Sequence, residues 1–220
     1  MLIKAIIINR NLLTTLKKTI EFLRKEDRIN EIHILDNDST YPPLLEYYDW
    51  TLEHVHFLRR NYGPHHAWAS TFNHIRDADY FIVADPDCTY DNVPDDWLDK
   101  MLDAKVDKVG FSLEIDDLPD TDLAKEAYNH EKKYWKDKHP HGWDSDIDTT
   151  FALYAKGMRF TYDAVRLDRP YTIKHEPWYL TQDNIDDEWR YYLDNVSPVS
   201  TWGVKINKDE NRSIKRRNTR

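Results

Sequence analysis

Short apolar runs, each ending on polar residues, alternate with helix-like segments through the first half of this chain. IKAIIIN (3–9) is apolar without a break, the pattern of a strand covered on both faces. After it, Leu12, Leu16, Ile20 and Leu23 recur at helical spacing, with Asn11 placed to cap them. EIHILD (31–36) alternates and stops at Asp36 before the turn-like NDST, and VHFLRR (55–60) reads as a third strand. NYGPHHAWASTFNHI puts Gly63 in a turn and Pro64 at a first helical position, with Ala67, Trp68, Thr71, Phe72 and Ile75 on one side. YFIVAD (80–85) is the fourth strand, VPDDWLDKML the next helix and KVGFSLEI (108–115) the fifth strand. This order predicts an α/β fold with a mostly parallel central sheet and helices on both faces.

Beyond Asp116 the pattern changes to a polar stretch with one helix-like segment, TDLAKEAYNHEKKYW, and two later strands, in DTTFALYAKG and RPYTIKHEPWY. With no linker or repeat, the expectation is one domain over 1–204: a βαβ half (1–115) and a smaller mixed half (116–204) added to the same sheet. Residues 205–220 read as a basic, flexible tail whose seven Lys and Arg are diluted by acids, a modest patch for peripheral contact with an anionic membrane.

Composition narrows the function. At a formal net charge of −9 the 220-residue chain is not expected to bind nucleic acid. A single cysteine, Cys88, allows no internal disulfide and fits a reducing compartment. The apolar run after Lys4 is four residues long with no cleavage site behind it, so MLIKAIIINR reads as a strand rather than a signal peptide. No segment is long enough to span a bilayer, and the expected location is cytoplasmic, or peripheral to a membrane. The five glycines, at 63, 110, 142, 157 and 203, build neither a dinucleotide fingerprint nor a P-loop. A nucleotide bound here needs its phosphates neutralised by something other than a glycine loop.

The carboxylates at the strand ends offer that something. In an open α/β sheet, ligands gather beyond the carboxyl ends of the strands, where Asp36, Asp85 and Asp87 fall. Asp85 and Asp87 are one residue apart and repel each other; a hard divalent cation, Mg²⁺ or Mn²⁺, relieves that repulsion and also neutralises a diphosphate. The plainer reading of an acidic pair after a strand is a turn or a helix cap.

These pieces, in this order, resemble the family 2-like glycosyltransferases of the GT-A fold. IIINRNLLTTLKKTIEFL is similar to that family's opening strand and helix, EIHILDNDSTYPPLLEYY to its second strand, LRRNYGPHHAW to its Asn-x-Gly segment and YFIVADPD to the strand bearing its Asp-x-Asp. IDTTFALY and KHEPWY resemble a subgroup of small bacterial and viral members. The resemblance implies that Asn9 and Asp36 hold the nucleoside, that Arg60 or Asn61 touches base or phosphate, and that Asp85 meets ribose or metal. It implies Asp87 and His175 as metal ligands, and a nucleotide sugar, a UDP-sugar first, as donor to a glycan or lipid-linked acceptor. Two departures stand out: Asn9-Arg10 replaces a Thr-Tyr-Asn-Arg run, and the Glu-Asp pair that supplies the base of many inverting members is missing. Asp148 is the candidate base and Asp146 the second, while inversion and retention both stay open. Trp178 and Tyr179 are candidates for stacking on a sugar face, or for filling the core.

Three other readings compete. DPDCTY also fits the nucleophile motif of haloacid-dehalogenase-like, Mg²⁺-dependent phosphatases, but those carry it on their first strand, and three strands precede it here. A non-catalytic module binding sugar or nucleotide would account for the Trp and Tyr content. A nucleotidyltransferase needs a glycine-containing basic loop near the start, and NRNLLTT has no glycine.

Overall fold

A computed structural model describes residues 1–181, 183–196 and 202–206. β1 (Ile3–Asn9) lies inside the sheet, parallel to β2 (Ile29–Asp36) on one side and to β4 (Tyr80–Ala84) on the other. β3 (His54–Phe57) adds in parallel to β2 and forms the edge. Beyond β4 the sheet becomes mixed. β10 (Phe151–Ala155) runs antiparallel to both β4 and β6 (Lys108–Gly110). β11 (Asp163–Leu167) returns parallel to β6, and β9 (Gly142–Asp146) and β8 (Lys138–His139) close the far edge in antiparallel pairs. The nine-stranded order is β3-β2-β1-β4-β10-β6-β11-β9-β8.

Burial on both faces explains the unbroken apolar run of β1. Ala5 and Ile7 point into a core shared with Leu16 and Leu23 of α1 (Thr14–Arg24), Trp97 of α4 (Trp97–Asp103) and Phe111. Ile6 and Ile8 point the other way, into a second core with Phe72, Phe81 and Tyr154, the last two being cross-strand partners stacked at 5.0 Å. A third cluster joins Leu12, Leu123 of α5 (Asp122–Glu131), Trp189 and Leu193 of α6 (Asp187–Asp194), and Ile206. Ile206 therefore packs on the domain beyond the boundary expected at 204, and residues 207–220 of the expected tail lie outside the described residues.

Three local expectations differ from the structure. Asn11 does not cap α1: it has φ 58°, and its Oδ1 accepts from Thr40 and Tyr41, fastening one strand-end loop to the next. The cap comes from Glu188 of α6, whose carboxylate accepts from the N–H groups of Leu13 and Thr14 at 2.9 Å. The helix expected from Pro64 breaks into 3₁₀ turns at Pro64–Trp68 and Ser70–Phe72 and one α turn, α3 (Asn73–Arg76). Ala69 is extended there, and the buried Arg76 guanidinium donates to the carbonyls of Ala67 and Ala69 that a continuous helix would have used. The fifth strand splits at Phe111, where the chain leaves the large sheet as β6 and enters a small one as β7 (Ser112–Leu113). That small sheet has β12 (Thr172–His175) between β7 and β5 (Cys88–Thr89). No helix among the described residues is long and apolar enough to cross a membrane.

Candidate active site

β4 ends at Ala84, and the next residues turn out of the sheet. The Asp85 N–H donates to the Thr150 carbonyl at 3.1 Å, and its Oδ2 accepts from the Thr149 hydroxyl at 2.8 Å. Burial pushes the Asp85 carboxyl well above the ordinary carboxylate range, and the charges of Asp87 and Asp148 add to the effect. Three residues on, β5 pairs antiparallel with β12, placing His175 opposite Cys88. This register and the bond from the Glu176 N–H to the Asp87 carbonyl at 2.8 Å bring His175 Nε2 to 3.5 Å from Asp87 Oδ2. Asp87 Oδ1 and His175 Nδ1 are buried, and no group among the described residues bonds to either.

Both side chains line a cavity of about 430 Å³ beyond the carboxyl ends of β1 and β4. Asn9, Asn61, Asp85, Asp146 and Asp148 share its walls. On the β1 side the NYG loop is fastened down: the Tyr62 N–H donates to Asn37 Oδ1 at 3.2 Å, and Asn37 Nδ2 donates to the Gly63 carbonyl. Gly63 sits at φ 79°, where a side chain is strained, and its N–H donates to Asn61 Oδ1 at 2.9 Å. Asn9 is fully buried, and its Nδ2 donates to the Tyr48 hydroxyl at 2.8 Å, leaving Oδ1 without a partner among the described residues.

Asp36 and Arg60 lie outside this wall. Asp36 is buried, accepting from the Ser39 N–H at 3.0 Å and from the Tyr48 hydroxyl at 3.1 Å, so it reaches the cavity only through Tyr48 and Asn9. Tyr48 ends α2 (Pro42–Tyr48), and burial followed by the Asp36 charge holds its phenol strongly protonated. Arg60 is exposed, its guanidinium 5.5 Å from the Tyr62 ring centroid.

Asp146 and Asp148 form the opposite wall, both exposed, with Asp148 Oδ1 3.3 Å from His65 Nε2. Buried cations fix their backbone. Lys108 donates to the carbonyls of Ile147 and Thr161, and burial lowers its pKa to about 8 although the Asp148 charge opposes that shift. Arg166 donates through Nε to the Asp146 carbonyl at 2.8 Å and pairs with Glu131, which is 1 % exposed. Burial raises the Glu131 carboxyl despite that guanidinium. Glu131, Arg166, Trp178, Trp189 and Trp202 complete the lining on that side, but Trp178 is 1 % exposed and fills the core, so its ring offers no open face to a sugar. Tyr179 instead donates to Asp117 at 2.8 Å and to the Glu114 carbonyl.

Asp87 and His175 suit a divalent cation. They are adjacent, and each carries an unpartnered buried atom, beside an Asp85 whose charge is costly where it lies. Among the described residues no three His, Cys, Asp or Glu side chains converge as a ready-made cage, so these two would supply only part of a coordination shell. Oxygens of a bound diphosphate and water are what such a shell lacks.

Arg10, Asn37, Lys108, Glu131, Thr149 and Arg166 have no role assigned from the sequence. Arg10 and Asn37 flank residues that were singled out, so position along the strands was the available signal. Glu131 and Arg166 sit in charged or alternating segments that look like solvated surface, and nothing local announces their pairing.

Comparison with solved structures finds the same fold at low identity. A mannosyltransferase from Pyrobaculum calidifontis, solved in complex with GDP-Man and Mn²⁺, superposes with a TM-score of 0.50 at 12 % identity, over 88 % of this chain and 60 % of that one. S. aureus TarS gives a TM-score of 0.50 at 11 % identity, over 89 % of this chain and 39 % of that one. This chain thus spans less than two thirds of either relative's length. No curated protein matches it. The profile of glycosyl transferase family 2 matches residues 5–163, most of the chain and every strand from β1 to β10, and the chain belongs to that family.

Proposed function

We propose that the protein is a metal-dependent glycosyltransferase, moving a sugar from a nucleoside diphosphate donor, UDP-sugar first, to a hydroxyl of a glycan or lipid-linked acceptor. The observation that carries this reading is the meeting of Asp85, Asp87 and His175 with Asp146 and Asp148 in one cavity at the carboxyl end of β4. Asn9, Asn37 and Asn61 form the nucleoside side. The unpartnered Oδ1 of Asn9 is an acceptor for a ring imide N–H, which uracil and guanine both carry. Asp36 acts through Tyr48 to hold Asn9 in that orientation.

Asp87 and His175 would hold Mn²⁺ or Mg²⁺, with Asp85 on the ribose or the metal. When bound, the cation supplies Lewis-acid neutralisation of the departing diphosphate. Thr149 orients Asp85 through its hydroxyl. In an inverting reaction Asp148 accepts the proton of the attacking acceptor hydroxyl, and its exposure leaves it able to reach an incoming glycan. Asp146 is the second candidate for that proton, and its main chain is anchored by Arg166. Trp202, half-buried at the cavity, gives the acceptor side a flat apolar face on which a sugar ring stacks.

The test is turnover: nucleotide release from UDP- and GDP-sugars with Mn²⁺, followed with and without candidate glycan acceptors. Asp148→Asn is expected to lower kcat by about 10²-fold or more with donor affinity kept, the usual weight of a general base. Phosphate release from simple phosphoesters, or nucleotide binding with no turnover of any sugar nucleotide, would refute the assignment.

A further inference from the structure

At the opposite edge of the sheet, four histidines meet without any role in the chemistry above. The cause is strand geometry. His54 and His56 alternate on the edge strand β3, so both side chains leave the same face. His33 of β2 is paired directly with His54 in the register and Leu35 with His56, which puts His33 between the two imidazoles. α3 covers this face and brings His74. The His33 ring lies 4.8 Å from that of His54, 5.3 Å from that of His56 and 6.2 Å from that of His74.

The hydrogen bonds around the rings resemble those that orient metal-binding imidazoles. His33 Nε2 lies 2.9 Å from a Glu31 carboxylate oxygen, itself paired with Lys4 at 2.9 Å. A carboxylate only accepts, so Nε2 carries the proton and Nδ1 of the neutral ring presents its lone pair. His74 Nδ1 lies 3.0 Å from the Thr71 carbonyl, which likewise leaves its Nε2 as the lone-pair atom. Fixing one ring nitrogen on a carboxylate or carbonyl so that the other faces a metal is the usual outer-sphere arrangement of histidine sites. His33 Nδ1 accepts a hydrogen bond from His56 Nε2 at 3.0 Å, so a bound ion takes the place of that shared proton. Two nitrogens on one tetrahedral zinc at 2.0–2.1 Å are about 3.3 Å apart, so this pair already approximates one edge of such a polyhedron.

We propose that His33, His56 and His74, with His54 at the rim, form a second metal site that takes a borderline divalent ion of the Zn²⁺ or Ni²⁺ type. Imidazole donors select these ions over the Mg²⁺ or Mn²⁺ favoured by carboxylates and diphosphate. No three of these side chains converge on a common point as they stand. His33 is buried and fixed, and His74 is held through Nδ1 by the Thr71 carbonyl, whereas His54 is exposed and able to complete the shell by side-chain rotation. The consequence is structural: the ion would clasp the edge strand β3 to β2 and to α3.

The experiment is titration of the full chain, stripped with EDTA and free of nucleotide, with Zn²⁺ and with Ni²⁺, followed by calorimetry and by thermal unfolding. One ion per chain is expected to bind and raise the Tm. His56→Gln, at a half-buried ring, and His74→Gln, at an exposed one, are each expected to weaken binding by at least about tenfold, comparable with the loss on disturbing a metal site's shell. Asp87→Ala is expected to leave it unchanged, separating this site from the cavity. No saturable binding, binding unaffected by both histidine substitutions, or binding lost in Asp87→Ala would overturn the proposal.

Discussion

Replacing Tyr48 with phenylalanine removes one oxygen from between Asn9 and Asp36. That oxygen accepts from Asn9 Nδ2 at 2.8 Å and donates to Asp36 Oδ2 at 3.1 Å. Asn9 is 0 % exposed, Asp36 2 % and Tyr48 7 %, so water does not readily replace what is lost. A hydrogen bond to a charged group contributes about 1.5–3 kcal/mol, and a stranded buried donor costs about 1–3 kcal/mol. Asp36 keeps its bond from Ser39, and the phenyl ring preserves the packing, which limits the damage. The expected destabilisation is therefore roughly 3 kcal/mol, read as a lower urea midpoint at unchanged slope. Nucleotide affinity is expected to fall as well, because Asn9 loses the group that holds its Oδ1 towards the cavity. A stability loss below about 0.5 kcal/mol, within the range of a neutral surface change, would refute the idea that Tyr48 transmits Asp36 to the site.

Two other perturbations test the scaffold. Glu188→Ala leaves the first N–H groups of α1 without their acceptor and is expected to cost about 1–2 kcal/mol in denaturant unfolding, the usual range for a lost cap; Glu188→Gln, which keeps an acceptor oxygen, is expected to cost less. Lys108 is 2 % exposed, with its folded pKa lowered to about 8 from 10.5. Between those values the unfolded chain holds a proton that the folded chain has released, so stability from this group rises with pH from about 8 to 10.5 and is lost as pH falls through 8. The full swing is roughly 3 kcal/mol, and unfolding measured across that window is expected to show the slope in the native protein and not in Lys108→Met.

The first half of the fold is legible because burial on two faces leaves a mark that needs no partner to be recognised. β1 and β4 are apolar at nearly every position, and the polar residues that follow must stand at the sheet's edge, which is where Asn9, Asp85 and Asp87 are. The approach of His175 to Asp87 depends on the antiparallel register of β12 on β5, strands of four and two residues whose pairing no periodicity encodes. Resemblance, not pattern, suggested that histidine. Helix propensity after Pro64 was overridden by the buried Arg76, whose guanidinium satisfies carbonyls and so permits a broken path. Asp36 ends a strand as expected, yet its carboxylate turns inward to Tyr48 and Ser39, because strand position fixes where a side chain starts and not where it points. Glu131 and Arg166 escaped notice because a buried ion pair is made of the same residues as a solvated surface.

The measurement that bears most directly on the central claim is thermal unfolding with UDP and GDP, each with Mn²⁺ or with EDTA, in the native protein and in Asp87→Ala. At ligand concentrations near a hundred times Kd, binding contributes about 2.7 kcal/mol, a rise of roughly 5–10 °C in Tm for a chain of this length. The account predicts that rise for at least one of the two nucleotides, only with Mn²⁺ present, and its loss in Asp87→Ala. Stabilisation by nucleotide that persists in EDTA and in the variant would contradict it.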